Sequence, residues 1–290
     1  MPRPEAYTFA TRAQYENALT KHRCDAKVTT TPETDLAEAP LTDTHSMPTN
    51  STNQPFEDRP ERLMVIVAHP DDADFGVAGT VARWVQQGTV ARLVCCTSGD
   101  AGADDALTDP EQLARRREDE QRAAARHVGY EAVDFLHRPD GALDNDLALR
   151  QDLVRVIRQF RPDAVMTMDP TLVIHDRGYI QHIDHRTAGI AALDAVYPAA
   201  RNAMAFPGLV LNEGLEPHSV NSIYLFFANE PNAWVDVSQT IDTKVAALRE
   251  HVSQLRKPAE LEELVRGWAR ETGTEIASEA AESFRVVEIR

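Results

Sequence analysis

Two short clusters of ionisable residues stand out in this 290-residue chain: His69-Pro70-Asp71-Asp72, and more than a hundred positions later His182-Ile183-Asp184-His185. A zinc ion that catalyses hydrolysis takes three ligands from imidazole and carboxylate and keeps one position open for water. His69, Asp72 and His185 supply such a set, which leaves Asp71 and His182 beside the metal. The metal lowers the pKa of its water toward about 7, so a neighbouring carboxylate such as Asp71 can take the proton and release hydroxide onto a carbonyl carbon. His182 is then the group to stabilise the oxyanion. Asp184 either fixes the ring of His182 in one tautomer or caps the helix that begins near His185. Taken singly, paired aspartates after a strand also serve as helix caps, and a His-x-x-His at a helix start is common surface decoration. Their joint occurrence favours the metal.

The elements around them must bring these clusters together. Leu63 to Ala68 and Val90 to Cys96 are apolar runs rich in β-branched residues, as expected of strands covered on both faces. Between them Val77, Val81, Trp84 and Val85 recur at helical spacing, with Gly88 as a stop. The alternation continues with a helix from Pro110 to His127 ending at Gly129 and a strand from Ala132 to Leu136. A helix carrying Leu149, Leu153, Val156, Ile157 and Phe160 follows, then a strand from Ala164 to Met168. This order predicts an α/β fold, a Rossmann-like, mostly parallel sheet with helices on both faces. Ligands of such sheets bind outside the carboxyl ends of the strands, where both clusters fall. Further on, Arg186 to Ala200 and Ile241 to Leu255 read as helices, Ser222 to Phe227 and Trp234 to Val237 as strands, and Pro207 to Pro217 as a candidate substrate lid.

Residues 1–60 differ in kind, with one short helical stretch around Thr11 to His22 and then Thr, Pro, Ser and Asn with few large apolar side chains. Such a composition cannot bury enough surface to offset the entropy of ordering it. It predicts a weakly structured extension, within which Met47 is an alternative start, ahead of a single catalytic domain over 61–290. The formal charge is −16 and the pI near 5.0, which argues against nucleic-acid or anionic-membrane partners. No apolar run approaches the roughly 20 residues needed to span a bilayer. Three cysteines, two of them the adjacent Cys95 and Cys96 in an apolar strand, suggest a reducing, cytoplasmic setting. Self-association as a homo-oligomer is left open.

The run Val65 to Gly76, reading Val-Ile-Val-Ala-His-Pro-Asp-Asp-Ala-Asp-Phe-Gly, resembles the first motif of the PIG-L/LmbE family of zinc-dependent N-acetylglucosaminyl deacetylases. Thr97-Ser98-Gly99-Asp100, the helix from Arg117 to Ala124, Arg138-Pro139-Asp140-Gly141 and Arg161-Pro162-Asp163 extend the likeness over roughly residues 61–200. The resemblance implies His69, Asp72 and His185 as zinc ligands, Asp71 as general base, His182 as electrostatic stabiliser, and Arg117 and Asp140 as contacts to an N-acetylglucosamine-like substrate. Two positions depart from the pattern. Ala73 stands where a Glu is usual, with Asp74 as its substitute, and Ile183 stands where many relatives carry proline. His175, in the preceding loop, reads as a loop or substrate-side residue, with competition for the metal as the alternative.

Three other readings compete. An amidase of mycothiol-type thiol conjugates would share the same metal motifs. A non-haem iron oxygenase would use two histidines and a carboxylate, but would leave Asp71 without a task. A nucleotide-binding module lacks Gly-x-Gly-x-x-Gly at the first strand-helix turn and offers carboxylates where phosphate needs amides.

Overall fold

A computed structural model of the chain describes residues 54–174 and 178–289. The expected helix at Thr11 to His22, the alternative start at Met47 and the loop imidazole His175 lie outside the described residues. Seven strands form one sheet: β1 (Arg62–Val67), β2 (Val90–Thr97), β3 (Ala132–Arg138), β4 (Ala164–Met168), β5 (Ser222–Phe226), β6 (Ala233–Asp236) and β7 (Ala281–Glu288). Their spatial order is β3-β2-β1-β4-β5-β7-β6. The first five strands are parallel, and β7 and then β6 add antiparallel strands at the β5 side. The α/β fold expected from the sequence is therefore present.

The central strands explain why their sequences do not alternate. Leu63 to Val67 and Leu93 to Cys96 are fully buried, because helices cover both faces of the sheet. Those helices are α1 (Asp72–Gly76), α2 (Ala78–Gln86), α3 (Pro110–Val128), α4 (Leu147–Phe160), α5 (Ile183–Asp194), α6 (Pro207–Leu211), α7 (Ile241–Arg249) and α8 (Pro258–Gly273). Helix α3 begins and ends where its residues dictate. Asp109 caps it by accepting from the Glu111 and Gln112 N–H groups, Pro110 opens the first turn, and Gly129 closes it at φ 95°.

Three expectations about the later chain need correction. The helix expected over Arg186 to Ala200 runs from Ile183 to Asp194 and passes into a wider turn over Ala195–Ala200, broken where Tyr197 adopts an extended backbone before Pro198. The helix expected to reach Leu255 stops at Arg249. The segment expected as a lid is pinned elsewhere. The buried Arg158, at the last turn of α4, donates to the carbonyls of Ala199, Ala200, Asn202, Ala205 and Leu215, and Arg155 pairs with Glu213. That end of α4 leads into the amino end of β4, the opposite end of the sheet from His69.

Strand β7, between β5 and the edge strand β6, carries an acidic residue into the core. Glu282, 5% exposed, accepts from the Gly79 and Thr80 N–H groups at the start of α2 and from Lys244 Nζ at 2.6 Å. A carboxylate suits the positive end of a helix, and Lys244, itself buried, balances its charge. Glu282→Ala leaves the ammonium and two helix N–H groups without partners. Urea denaturation of this variant is expected to show a loss of about 3–5 kcal/mol.

Candidate metal centre

In a parallel sheet of this order, the crevice opens between β1 and β4, where the chain direction of successive crossovers reverses. His69 lies two residues beyond β1, and α5 is laid against β4 on the other side. Gly189 makes that second placement close: a Cβ there would lie 2.4 Å from the Met168 carbonyl oxygen, so only glycine lets α5 approach. His182 caps α5 and His185 stands in its first turn. Both clusters picked out in the sequence thus meet at one end of the sheet.

Asp72, 6% exposed, joins the two clusters. Its Oδ2 accepts from the His69 N–H at 2.7 Å and lies 3.3 Å from His69 Nδ1, while its Oδ1 is 3.0 Å from His185 Nε2. Asp72 thus bridges His69 and His185, one carboxylate oxygen to each, and the ligand atoms of His69, His182 and His185, and those of His69, Asp140 and Asp184, lie within 4.8 Å of one another. The far nitrogen of His69, Nε2, is held at 2.9 Å from Asp140 Oδ1 and 3.2 Å from Asp184 Oδ2. A ring nitrogen facing carboxylates while its partner faces the ligand position is the usual arrangement behind a metal-binding imidazole. The three imidazoles of His69, His182 and His185 also lie near one another, with ring centroids 5.0 to 5.4 Å apart.

Charge supports a cation at this point. Asp71, Asp72, Asp140 and Asp184 surround His69 with Arg117 as the nearby permanent cation. Burial opposes charge on His69, but the Asp72 carboxylate and bonds to Asp140, Asp184 and Asp72 outweigh it and push the imidazole up to about 12. Burial would also raise Asp72, yet the charges of His185 and His69 hold it well below the usual carboxylate range. The donor set thus fits a divalent metal: carboxylates kept ionised around a position that attracts positive charge.

Asp71 is next to the ligands but turned differently. Its backbone lies at φ 102°, a conformation that side-chain-bearing residues rarely adopt. Its N–H donates to Gln121 Oε1 at 2.8 Å, and its Oδ2 accepts from Arg117 Nη2 at 3.2 Å. Burial pushes the Asp71 carboxyl up to about 6, the Asp72 charge adding to it and Arg117 opposing. Arg117, 4% exposed, also donates to the Gly99 and Pro70 carbonyls. A Cβ on Gly99 would fall 2.3 Å from its guanidinium, and that glycine sits at φ 70°. Asp140 ties the same loop from the other side by accepting from the Ala101 N–H at 3.0 Å.

The structure answers the question left open for Asp184. Its carboxylate neither orients His182 nor caps α5. Fully buried, it accepts from the Gly141 N–H at 2.7 Å and the Leu143 N–H at 3.2 Å and faces His69. The contact with His182 runs the other way, from the Asp184 N–H to His182 Nδ1 at 3.2 Å. Asp184→Asn keeps the shape and removes the charge behind His69. Competition with a chelator is expected to show metal affinity about 10–100-fold weaker. Asp74, expected to stand in for the missing Glu at position 73, turns away from the metal ligands toward Gln121 and His251.

Comparison with known proteins places the chain among sugar deacetylases by similarity. The family model described as "PIG-L: GlcNAc-PI de-N-acetylase" matches residues 64–196. A diacetylchitobiose deacetylase of Thermococcus kodakarensis is 32% identical over 202 residues, covering 70% of this chain and 73% of its own. A 1D-myo-inositol 2-acetamido-2-deoxy-alpha-D-glucopyranoside deacetylase of Mycobacteroides abscessus is 30% identical, covering 67% and 81%. Among solved structures, the N,N'-diacetylchitobiose deacetylase of Pyrococcus horikoshii in complex with its inhibitor superposes with a TM-score of 0.73 at 27% identity, covering 97% of this chain and 94% of its own.

Proposed function

The chain belongs to the PIG-L family of GlcNAc-PI de-N-acetylases and is a hydrolase of amide C–N bonds; from that premise we propose that it removes the N-acetyl group of an N-acetylglucosamine-like sugar, with zinc held by His69, Asp72 and His185. The observation that carries this reading is that the Asp72 carboxylate bridges His69 Nδ1 and His185 Nε2, one oxygen to each, beside a carboxyl group poised near neutrality. Bound there, zinc supplies a Lewis acid that polarises the amide carbonyl and lowers the pKa of water toward about 7.

The chain's own residues do the rest. Asp71 takes the proton of the attacking water and returns it to the departing amine nitrogen, a task suited to a carboxyl whose pKa is raised. His182 accepts the Asp184 N–H at Nδ1, so its hydrogen is on Nε2, free to donate to the carbonyl oxygen as negative charge develops. Burial and the charge of His69 lower the pKa of His182, which keeps it a neutral donor. Arg117 and Asp140, expected as sugar contacts from the family likeness, are nearly buried and hold the loop over Gly99 to Ala101 from two sides, so their part is to shape the floor on which a sugar lies.

An iron oxygenase would leave Asp71 idle, and the raised carboxyl supports hydrolysis instead. Among the described residues no helix is long and apolar enough to cross a membrane. The buried free thiols of Cys95 and Cys96 support a reducing cytoplasmic setting. The substrate class is tested by amine release from N-acetylglucosamine, its β-linked dimer, an N-acetylglucosaminyl inositol and a thiol-conjugate amide. Release from the acetylated sugars is expected. Cleavage of the thiol conjugate alone would replace this reading with the amidase.

A further inference from the structure

Beneath Asp71 lies a group of buried polar side chains that the hydrolytic steps do not use. His251, 1% exposed, follows α7; Asp74 in α1 and Gln121 in α3 are fully buried. His251 Nε2 lies 2.8 Å from Asp74 Oδ2, Gln121 Nε2 donates to the same oxygen at 2.8 Å, and Gln121 Oε1 accepts the Asp71 N–H at 2.8 Å. Because Asp74 can only accept here, it fixes which end of the Gln121 amide faces Asp71. The segment that brings His251 is itself clamped to α3 and to the loop after β2, through Ser253 on Glu120 and Gln254 on the Gly102 carbonyl.

We propose that His251, Asp74 and Gln121 form a positioning chain that holds the Asp71 backbone at its positive φ and so aims the base at the attacking water. The inference rests on Asp71 being that base. Asp71 at φ 102° would relax without a surrounding structure that over-determines it. The first turn of α1 holds the Asp71 carbonyl through the Asp74 and Phe75 N–H groups, Arg117 holds the Pro70 carbonyl and the Asp71 carboxylate, and Gln121 alone of these holds the Asp71 N–H, the atom whose direction φ sets. Arg117 is anchored on backbone carbonyls, whereas among the described residues the Gln121 amide nitrogen is anchored on Asp74, which His251 holds in turn. The last quarter of the chain, which adds no metal ligand, thereby reaches the reacting centre.

The test pairs crystal structures with kinetics for wild type, Gln121→Met, His251→Phe and His251→Gln. Gln121→Met keeps length and removes both polar ends. Its Asp71 is expected to return to negative φ, with kcat lower by about 10²-fold, KM little changed and bound zinc unchanged. His251→Phe is expected to follow in the same direction, and His251→Gln, which restores a donor to Asp74, to recover most of the rate. Asp71 remaining at positive φ in Gln121→Met, or a rate loss that matches lost zinc or lost folded protein, overturns the proposal. If no amide yields amine with the wild type, the substrate reading fails, while the backbone of Asp71 in the variant structures still decides this one.

Discussion

Asp71→Asn is expected to cut kcat/KM by about 10²–10⁴-fold while zinc content and KM hold. Asparagine fills the same space and can still accept from Arg117 Nη2 through its carbonyl oxygen, and its N–H can still donate to Gln121. What it lacks is a site for the proton. In the wild type, burial and the neighbouring Asp72 raise the Asp71 carboxyl to about 6, so the base is ionised above that range and protonated below it. Activity therefore falls as pH drops, and bound zinc shifts that limb to lower pH by favouring the ionised form. The variant loses the limb along with the rate. A variant that lost zinc in parallel with activity would make Asp71 a support of the metal rather than the base.

His185→Ala is expected to abolish stoichiometric zinc and reduce amine release to background. A catalytic site with three protein ligands that loses one keeps two and gains an open position, and Asp72 Oδ1 loses its partner at 3.0 Å. His185 is half-buried in the first turn of α5, so the helix itself should persist, and circular dichroism should match the wild type. The contrast with Asp71→Asn separates the two roles: one variant keeps metal without turnover, the other loses both.

The fold was readable wherever an element's own residues announce it. Strand β1 is a continuous apolar run because both its faces are covered, and α3 carries its cap, its proline and its terminal glycine in sequence. Helix α8 was equally legible, with Pro258 at its start and Leu261, Val265 and Ala269 on its buried face, although the reading of regular elements stopped at Leu255. Strand β7 was not. Glu282 is a carboxylate on the same face as the fully buried Phe284, which breaks the apolar pattern of that face, and its burial makes sense only once α2 and Lys244 are beside it in space.

The seven residues singled out in the sequence come together at one end of the sheet because two motifs at strand ends must converge there. Their partners were harder to see. Asp184 lies between two histidines in sequence, but on the first turn of a helix it projects to a different side and meets the far nitrogen of His69. Gln121 and His251 are single residues on distant elements, with no spacing that marks them. Contacts that depend on one side chain from each of several elements leave no periodic signal, and the network under Asp71 is of that kind.

The most direct test is to strip the protein with a chelator, verify that it stays folded, and restore one equivalent of zinc or of ferrous iron while following free amine from an N-acetylglucosamine substrate. The account predicts that the stripped protein is inactive and that zinc restores amine release in wild type but not in Asp71→Asn, which nevertheless binds the metal. Amine release by the stripped protein, or full activity of Asp71→Asn with zinc, would contradict it.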